Sequence, residues 1–300
     1  MNDFSSSDLW ASINNDMANK DIDFESFREP LNKLNSRLAT WDPYDLKSYR
    51  YFKNILFNTA MSMTDEFFEL YNKINNTNVG RPLYVFVKDT KVDMEYLFCI
   101  MEILFLKDAL DKSQSIVEIG GGYGRLCHSI LEIFPHIDKY TMIDLPPMIV
   151  IAKNYLSKVL PEDDFRKIIF IEADKANSVK FSDIFINIDS FAEMTQEVIN
   201  NYMNIISNKG KYFFCKNTIG KYNPKDIGLV DYIRNDFDNA SKTGRCLDQI
   251  DIFNDNALRI ARQKYLSSYI PGPQWKLIGD EIAHPYTYYH CALYKSNTYD

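Results

Sequence analysis

Ile116-Val117-Glu118-Ile119-Gly120-Gly121-Gly122-Tyr123-Gly124-Arg125 decides the fold. Ile116 to Ile119 is a short apolar run rich in β-branched residues. Leu126, Cys127, Ile130 and Phe134 follow at helical spacing, so the stretch reads strand, glycine turn, helix. A strand that reverses into a helix within a few residues needs positive φ, and a ligand reaches main-chain amides only where no Cβ intrudes. The amides beyond the turn open a helix, and a helix N-terminus favours anionic or acceptor-rich ligands. Spacing narrows the ligand. The dinucleotide pattern G-x-G-x-x-G/A wants a small third residue, but Arg125 fills that slot counted from Gly120 and Cys127 fills it counted from Gly122, which disfavours NAD.

The next two strands carry acids at their ends. Residues 139 to 143 form an apolar strand ending in Asp144, where doubly wound folds place a carboxylate for ribose hydroxyls. Leu145-Pro146-Pro147 then opens a helix. Residues 168 to 171 run into Glu172-Ala173-Asp174. Glu118 followed by Gly120, Gly122 and Gly124 resembles motif I of the class I S-adenosylmethionine (SAM) methyltransferases. That resemblance implies a cofactor site built from Glu118, Gly120, Gly121, Gly122, Tyr123, Asp144, Leu145, Asp174 and Asn187, with Asp174 beside the adenine amino group.

From residue 113 onward strands and helices alternate: strands near 115–120, 139–144, 168–172, 183–189, 210–216, 275–283 and 288–295. Such alternation with right-handed crossovers gives a doubly wound α/β sheet with ligands at the carboxyl ends of its strands. The last two strands are joined only by His284-Pro285-Tyr286-Thr287, so they are antiparallel neighbours. A final antiparallel strand is a class I methyltransferase feature, and the expectation is a Rossmann-like seven-stranded sheet of that class behind a helical N-terminal region.

Residues 183 to 195, Asp-Ile-Phe-Ile-Asn-Ile-Asp-Ser-Phe-Ala-Glu-Met-Thr, form the second informative stretch, a strand ending in polar residues before a helix capped by Thr195. Asn187 to Met194, with Glu118 to Arg125 and Ile143 to Pro146, is similar to the bacterial sugar O-methyltransferase family associated with surface polysaccharide genes. The likeness covers roughly residues 80 to 295. It implies methyl transfer to a hydroxyl of a saccharide or sugar nucleotide. The alternatives are a non-sugar acceptor or an inactive SAM-binding module, and a nucleotide-sugar oxidoreductase would instead require NAD.

A more distant likeness joins the chain to the plant-type small-molecule O-methyltransferases, but Ala192 stands at the place of their catalytic histidine, with Glu193 beside it. A sugar hydroxyl is a poor nucleophile, so a general base is expected. Glu193, Asp189 and His284 are the candidates: two carboxylates just past the fourth strand and a histidine ending the sixth. His128 and His136 read as surface residues and His290 as packing. Asp189 and Asn217 occupy places where some sugar methyltransferases hold a divalent metal, but no third carboxylate is evident, and no metal is expected.

Composition bounds the remaining classes. With 46% hydrophobic and 14% aromatic residues in 300, the chain supports a large core. Its net charge of −7 and lack of a Lys/Arg cluster argue against nucleic acid as a partner. No run approaches the roughly 18 apolar residues of a membrane span, and the N-terminus lacks a signal pattern, so a cytoplasmic protein is expected. Cys99, Cys127, Cys215, Cys246 and Cys291 read as reduced core thiols.

Residues 1–112 form the expected helical region, on the substrate side or in a homodimer contact, with helices at 23–38, 46–61, 65–74 and 94–110 around a turn at 41–43. Tyr49 to Lys53 reads as helix packing rather than a pocket lining. An insertion at 218–273, within the methyltransferase domain 113–300, carries helical patterns at 226–237 and 256–265. It has the length of a substrate lid, and Tyr222, Arg245, Arg259 and Tyr269 are its candidate acceptor contacts.

Overall fold

A computed structural model describes residues 49–223 and 241–299. The helices expected at 23–38 and 226–237 and the turn at 41–43 lie outside the described residues. Packing divides the chain into two compact units, Met1–Asn54 and Ile55–Asp300. The described part of the first is the opening of a helix.

That helix, α1 (Tyr49–Met61), is followed by α2 (Asp65–Tyr71), whose Thr64 cap accepts from the Phe67 amide. A hairpin, β1 (Tyr84–Val87) and β2 (Thr90–Asp93), comes next. The sequence reading has no strands there. Its turn residues Lys88 and Asp89 both adopt positive φ, 48° and 61°, without the glycine that usually marks such a turn. Asp93 then caps α3 (Met94–Leu110), accepting from the Glu95 and Tyr96 amides. This long helix is apolar nearly all round, because one side meets the sheet, Phe105 lying against Phe214, and the other meets α2 and α4.

The sheet follows: β3 (Ser115–Ile119), α4 (Arg125–Ile133), β4 (Lys139–Asp144), α5 (Pro146–Val159), the single turn α6 (Glu162–Phe165), β5 (Ile168–Glu172), β6 (Ser182–Ile188), α7 (Gln196–Lys209), β7 (Gly210–Thr218), α8 (Asp255–Ser268), β8 (Trp275–Ile282) and β9 (Tyr289–Ser296). The seven strands lie in the order β5-β4-β3-β6-β7-β9-β8. β3 to β7 are parallel, and β9 runs antiparallel to both β7 and β8. This is the class I methyltransferase fold expected from the sequence, with the switch point between β3 and β6. Strands near the middle are apolar on both faces because helices cover both. Ile116, Tyr140, Ile184 and Phe214 pack toward α3, α4 and α5, while Val117, Ile143, Phe185 and Phe213 pack toward α7 and α8.

Two expectations fail on burial. His128, read as a surface residue, is fully buried in α4, because that helix is packed between α3 and α5. Its Nδ1 lies 2.6 Å from the Tyr96 hydroxyl, which also bonds Tyr155. Its Nε2 is 3.3 Å from Glu132 Oε2 without hydrogen-bond geometry. Tyr269, read as a candidate acceptor contact, is 1% exposed and stacks on Phe191 at the end of α8. His290 is a packing residue as read, bonded to Asp280 at 2.8 Å. Among the described residues no helix is long and apolar enough to cross a membrane.

Candidate functional site

The glycine turn sits at the carboxyl end of β3, at the switch point. Gly122 has φ +56°, and a Cβ built on it meets nothing within 4 Å, so the space above the turn is open. Gly120 answers a different need: its φ is +76°, and a Cβ there would fall 2.2 Å from Ser190 Oγ. Ser190 comes that close because its hydroxyl donates to the Ile119 carbonyl at 3.0 Å, tying the end of β6 to the end of β3. Asn187 joins the same knot. Fully buried, it donates to Ile119 O and Ser190 Oγ and accepts from Asn217 Nδ2 and the Phe191 amide, so its amide is committed to the protein.

Asp144, at the end of β4, faces the turn. Its Oδ2 accepts from the Gly122 amide at 2.9 Å and its Oδ1 from the Leu145 amide at 2.7 Å. An ionised carboxylate has about four acceptor positions, so half of its capacity remains for a ligand. Leu145 beside it is 61% exposed, an apolar shelf at the strand end. Asp174 is exposed on the 3-10 turn Ala173–Ser178 that follows β5. Tyr123 donates from its hydroxyl to Glu95, and its ring lies edge-on to Tyr155. Together, an open turn, a carboxylate with spare capacity and an exposed apolar shelf suit an adenosyl group.

Glu118 stands apart from this surface. It is 4% exposed beneath the turn and accepts from the Tyr140 hydroxyl at 2.9 Å. Burial pushes its carboxyl up to about 7, against the opposing effects of Tyr140 and Arg125. Its place is under the turn, supporting Gly121.

On the other side of the switch point a cavity of about 260 Å³ opens, lined by Phe98, Arg125, Ile188, Asp189, Lys216, Ala283, His284, Tyr286, Tyr288 and Tyr289. Two of the three candidate bases, Asp189 and His284, meet here. Asp189 holds φ +62°, an uncommon conformation for a side-chain-bearing residue. Its Oδ1 accepts from the Tyr289 hydroxyl at 2.9 Å, and its amide donates to the Lys216 carbonyl. Burial raises the Tyr289 phenol, and the neighbouring Asp189 charge adds to the shift. Tyr288 is pushed up to about 12, first by burial.

Glu193 does not line the cavity. It is exposed on the 3-10 turn Ser190–Glu193, whose Ala192 carbonyl accepts from Lys221 Nζ at 3.3 Å and Thr243 Oγ1 at 3.0 Å. Burial pushes the Lys221 amine down. The insertion thus grips this turn directly: the Gly244 amide donates to Met194 O at 2.7 Å. Arg245 serves as an anchor, donating to Ser268 O at 3.0 Å, and Arg259 bonds Asn256 in its own helix. Tyr222 lies edge-on to Tyr288.

Behind the cavity a buried carboxylate holds its cations. Lys216 Nζ donates to Glu102 Oε1 at 2.7 Å, and Arg125 approaches the same oxygen at 3.9 Å. Glu102 is 1% exposed and its Oε2 has no hydrogen-bond partner among the described residues. Sequence reading missed Phe98, Lys216 and the tyrosines as site residues. The tyrosines carried a signal, being clustered in and after the short β8–β9 link at the ligand edge, whereas Phe98 and Lys216 read as ordinary helix and strand positions. Among the described residues no group of His, Cys, Asp or Glu is placed to hold a metal, and the Asn217 amide is spent on Asn187 and Ala192.

Residues 52–210, more than half of the chain, match the family described as O-methyltransferase domain. No curated protein matches. Similar solved structures include the methyltransferase domain of bacterial CtHen1, with 12% identity and TM-score 0.46 over 67% of this chain and 100% of that one. The mitomycin 7-O-methyltransferase MmcR is 11% identical, TM-score 0.43, over 83% of this chain and 68% of that one. Human N-acetylserotonin methyltransferase, solved with SAM, is 13% identical, TM-score 0.39, over 68% and 56%.

Proposed function

Because the chain belongs to the O-methyltransferase domain family and is a SAM-dependent methyltransferase, we propose that it methylates a hydroxyl of a saccharide or sugar nucleotide, in the making of a surface polysaccharide. The observation that carries this reading is the cavity beside the switch point. Phe98, Tyr286, Tyr288 and Tyr289 offer rings on which the C–H faces of a sugar rest, and Asp189, Lys216, His284 and Arg125 supply partners for its hydroxyls.

SAM supplies an electrophilic methyl carbon. The chain's own residues do the rest. The Gly120 amide is spent on the Ile143 carbonyl and the Gly122 amide on Asp144, so the turn contributes open space rather than free donors there. Asp144 keeps acceptor capacity for ribose hydroxyls, Leu145 would offer its side chain to the adenine face, and Asp174 would accept from the adenine amino group. Asp189, which accepts from Tyr289, would hold and take the proton of an acceptor hydroxyl inside the cavity. His284 lines the same cavity. Glu193 acts from the neighbouring turn if the acceptor extends across it. Alignment and exclusion of water account for most of the acceleration in such an in-line displacement.

The test is release of S-adenosylhomocysteine on mixing protein and SAM with nucleotide sugars, free hexoses and, as a contrast, phenols. Release with a sugar or nucleotide sugar is expected. Release with phenols alone would move the acceptor to another class, and release with none would leave a binding module. Calcium and magnesium chelation by EDTA is expected to leave turnover unchanged, and loss restored by magnesium would reveal a metal role.

A further inference from the structure

At the opposite end of the sheet, the amino ends of β3, β4 and β6 border a second cavity of about 240 Å³. It exists because the crossover from β5 to β6 holds only the 3-10 turn Ala173–Ser178, so no helix covers this corner of the sheet. Val117, Ile169, Ile171, Val179 and Phe181 form an apolar surface, with Ile169 42% and Phe181 47% exposed. Lys139 and Lys180 stand at its edge.

The chemistry of that lining is unusual for this chain. The protein carries 41 acidic residues against 34 basic ones, yet the cavity is lined by two lysines and no carboxylate. Neither lysine ammonium has a hydrogen bond or ion pair among the described residues, whereas Lys167 and Lys209 nearby are both satisfied. Lys209 donates to the Asn177 and Val179 carbonyls and so pins the cavity wall. Asp183, next to the cavity, spends its Oδ2 on the Gln114 and Ser115 amides and the Ser115 hydroxyl. Ser182 is 2% exposed and its hydroxyl has no partner among the described residues, a costly state for a buried polar group.

We propose that this cavity binds a small organic anion, a phosphate or carboxylate on an apolar or planar body, between Lys139 and Lys180. The body lies on Ile169, Ile171 and Phe181, and the anion meets the two ammonium groups. Lys139 and Asp144 are the two ends of β4, about 16 Å apart along the strand, so this ligand is not the cofactor and does not compete with it. The proposal stands independently of the acceptor's identity.

The probes are phenyl phosphate, benzoate and neutral benzyl alcohol, titrated into protein carrying 13C-labelled isoleucine methyl groups and saturated with S-adenosylhomocysteine. Phenyl phosphate, benzoate or both are expected to shift the Ile169 and Ile171 methyl signals with roughly millimolar affinity. Benzyl alcohol is expected to bind at least about tenfold more weakly, and the double substitution Lys139→Ala/Lys180→Ala, at one half-buried and one exposed position, to weaken the anions by at least about tenfold. Comparing the two anions tells phosphate from carboxylate. Equal binding of the neutral probe, indifference to the lysine substitutions, or no shift up to the solubility limit would each overturn the proposal.

Discussion

The two sides of the switch point are built from different materials. On the β3–β4 side the surface proposed for the cofactor is shaped by main chain: a turn kept open by Gly122 and a carboxylate fixed by two amides. On the β6–β7–β9 side the cavity is lined by side chains gathered from segments as far apart as Phe98 and Tyr289 and braced by the buried Glu102. Main-chain recognition suits a ligand common to a whole class of enzymes. Side chains drawn from distant segments suit a partner peculiar to this chain.

That contrast is breakable. The largest effect is expected on the acceptor side, from Glu102→Ala, which strands Lys216 and Arg125 around an emptied site. Thermal unfolding is expected to show a loss of about 3 kcal/mol, and Lys216→Met in the same chain to recover part of it. A loss no bigger than that of a surface pair would mean the brace is ornamental. On the cofactor side, Gly122→Val projects a side chain into the open space above the turn, and Asp144→Ala removes the acceptor. Calorimetry is expected to show S-adenosylhomocysteine affinity falling by roughly a hundredfold, about 2.7 kcal/mol, in both. Asp144→Ala is expected to change melting little, whereas Gly122→Val also lowers it, because φ +56° strains a β-branched residue.

Next in size is the chemistry. Asp189→Asn and Glu193→Gln are each expected to bind S-adenosylhomocysteine as the parent does. Whichever is the base lowers turnover by at least about a hundredfold, and the other by less. Full activity in both would shift the role to His284. Smallest is a pH effect beneath the turn. Glu118, ordinarily near 4.5, is pushed up to about 7 in the fold. The fold therefore keeps a proton that the unfolded chain has released, and the stability it contributes is full below 4.5 and lost as pH rises through 7. Glu118→Gln removes that dependence. Relative to the parent, it is expected to gain about 2 kcal/mol between pH 5 and pH 8 in denaturant titrations, and a constant difference would contradict the assignment.

The same contrast explains what could be read from the sequence. The strand, glycine turn, Asp144 and the closing antiparallel hairpin were legible because each is a local pattern: a β-branched run, a spacing of glycines, a link too short for a crossover. The burial of His128 was not, because its partners Tyr96 and Tyr155 lie on two other helices. Tyr269 likewise reads as a loop residue until α8 lays it against Phe191. The β1–β2 hairpin escaped notice because Lys88 and Asp89 make its turn without glycine. Of the cavity beside the switch point, Asp189 and His284 were legible as strand-end residues, but Phe98, Lys216 and Tyr289 were not, because they share no local pattern.

The central claim is that the turn after Ile119 and the carboxylate of Asp144 hold an adenosyl ligand. A crystal structure of the protein soaked with S-adenosylhomocysteine tests it most directly. The account predicts its ribose on Asp144 and its adenine along Leu145 toward Asp174, with the sulfur directed at the cavity of Asp189 and Tyr289. Density for the ligand elsewhere, or a turn closed by side chains with no ligand at saturating concentration, would contradict it.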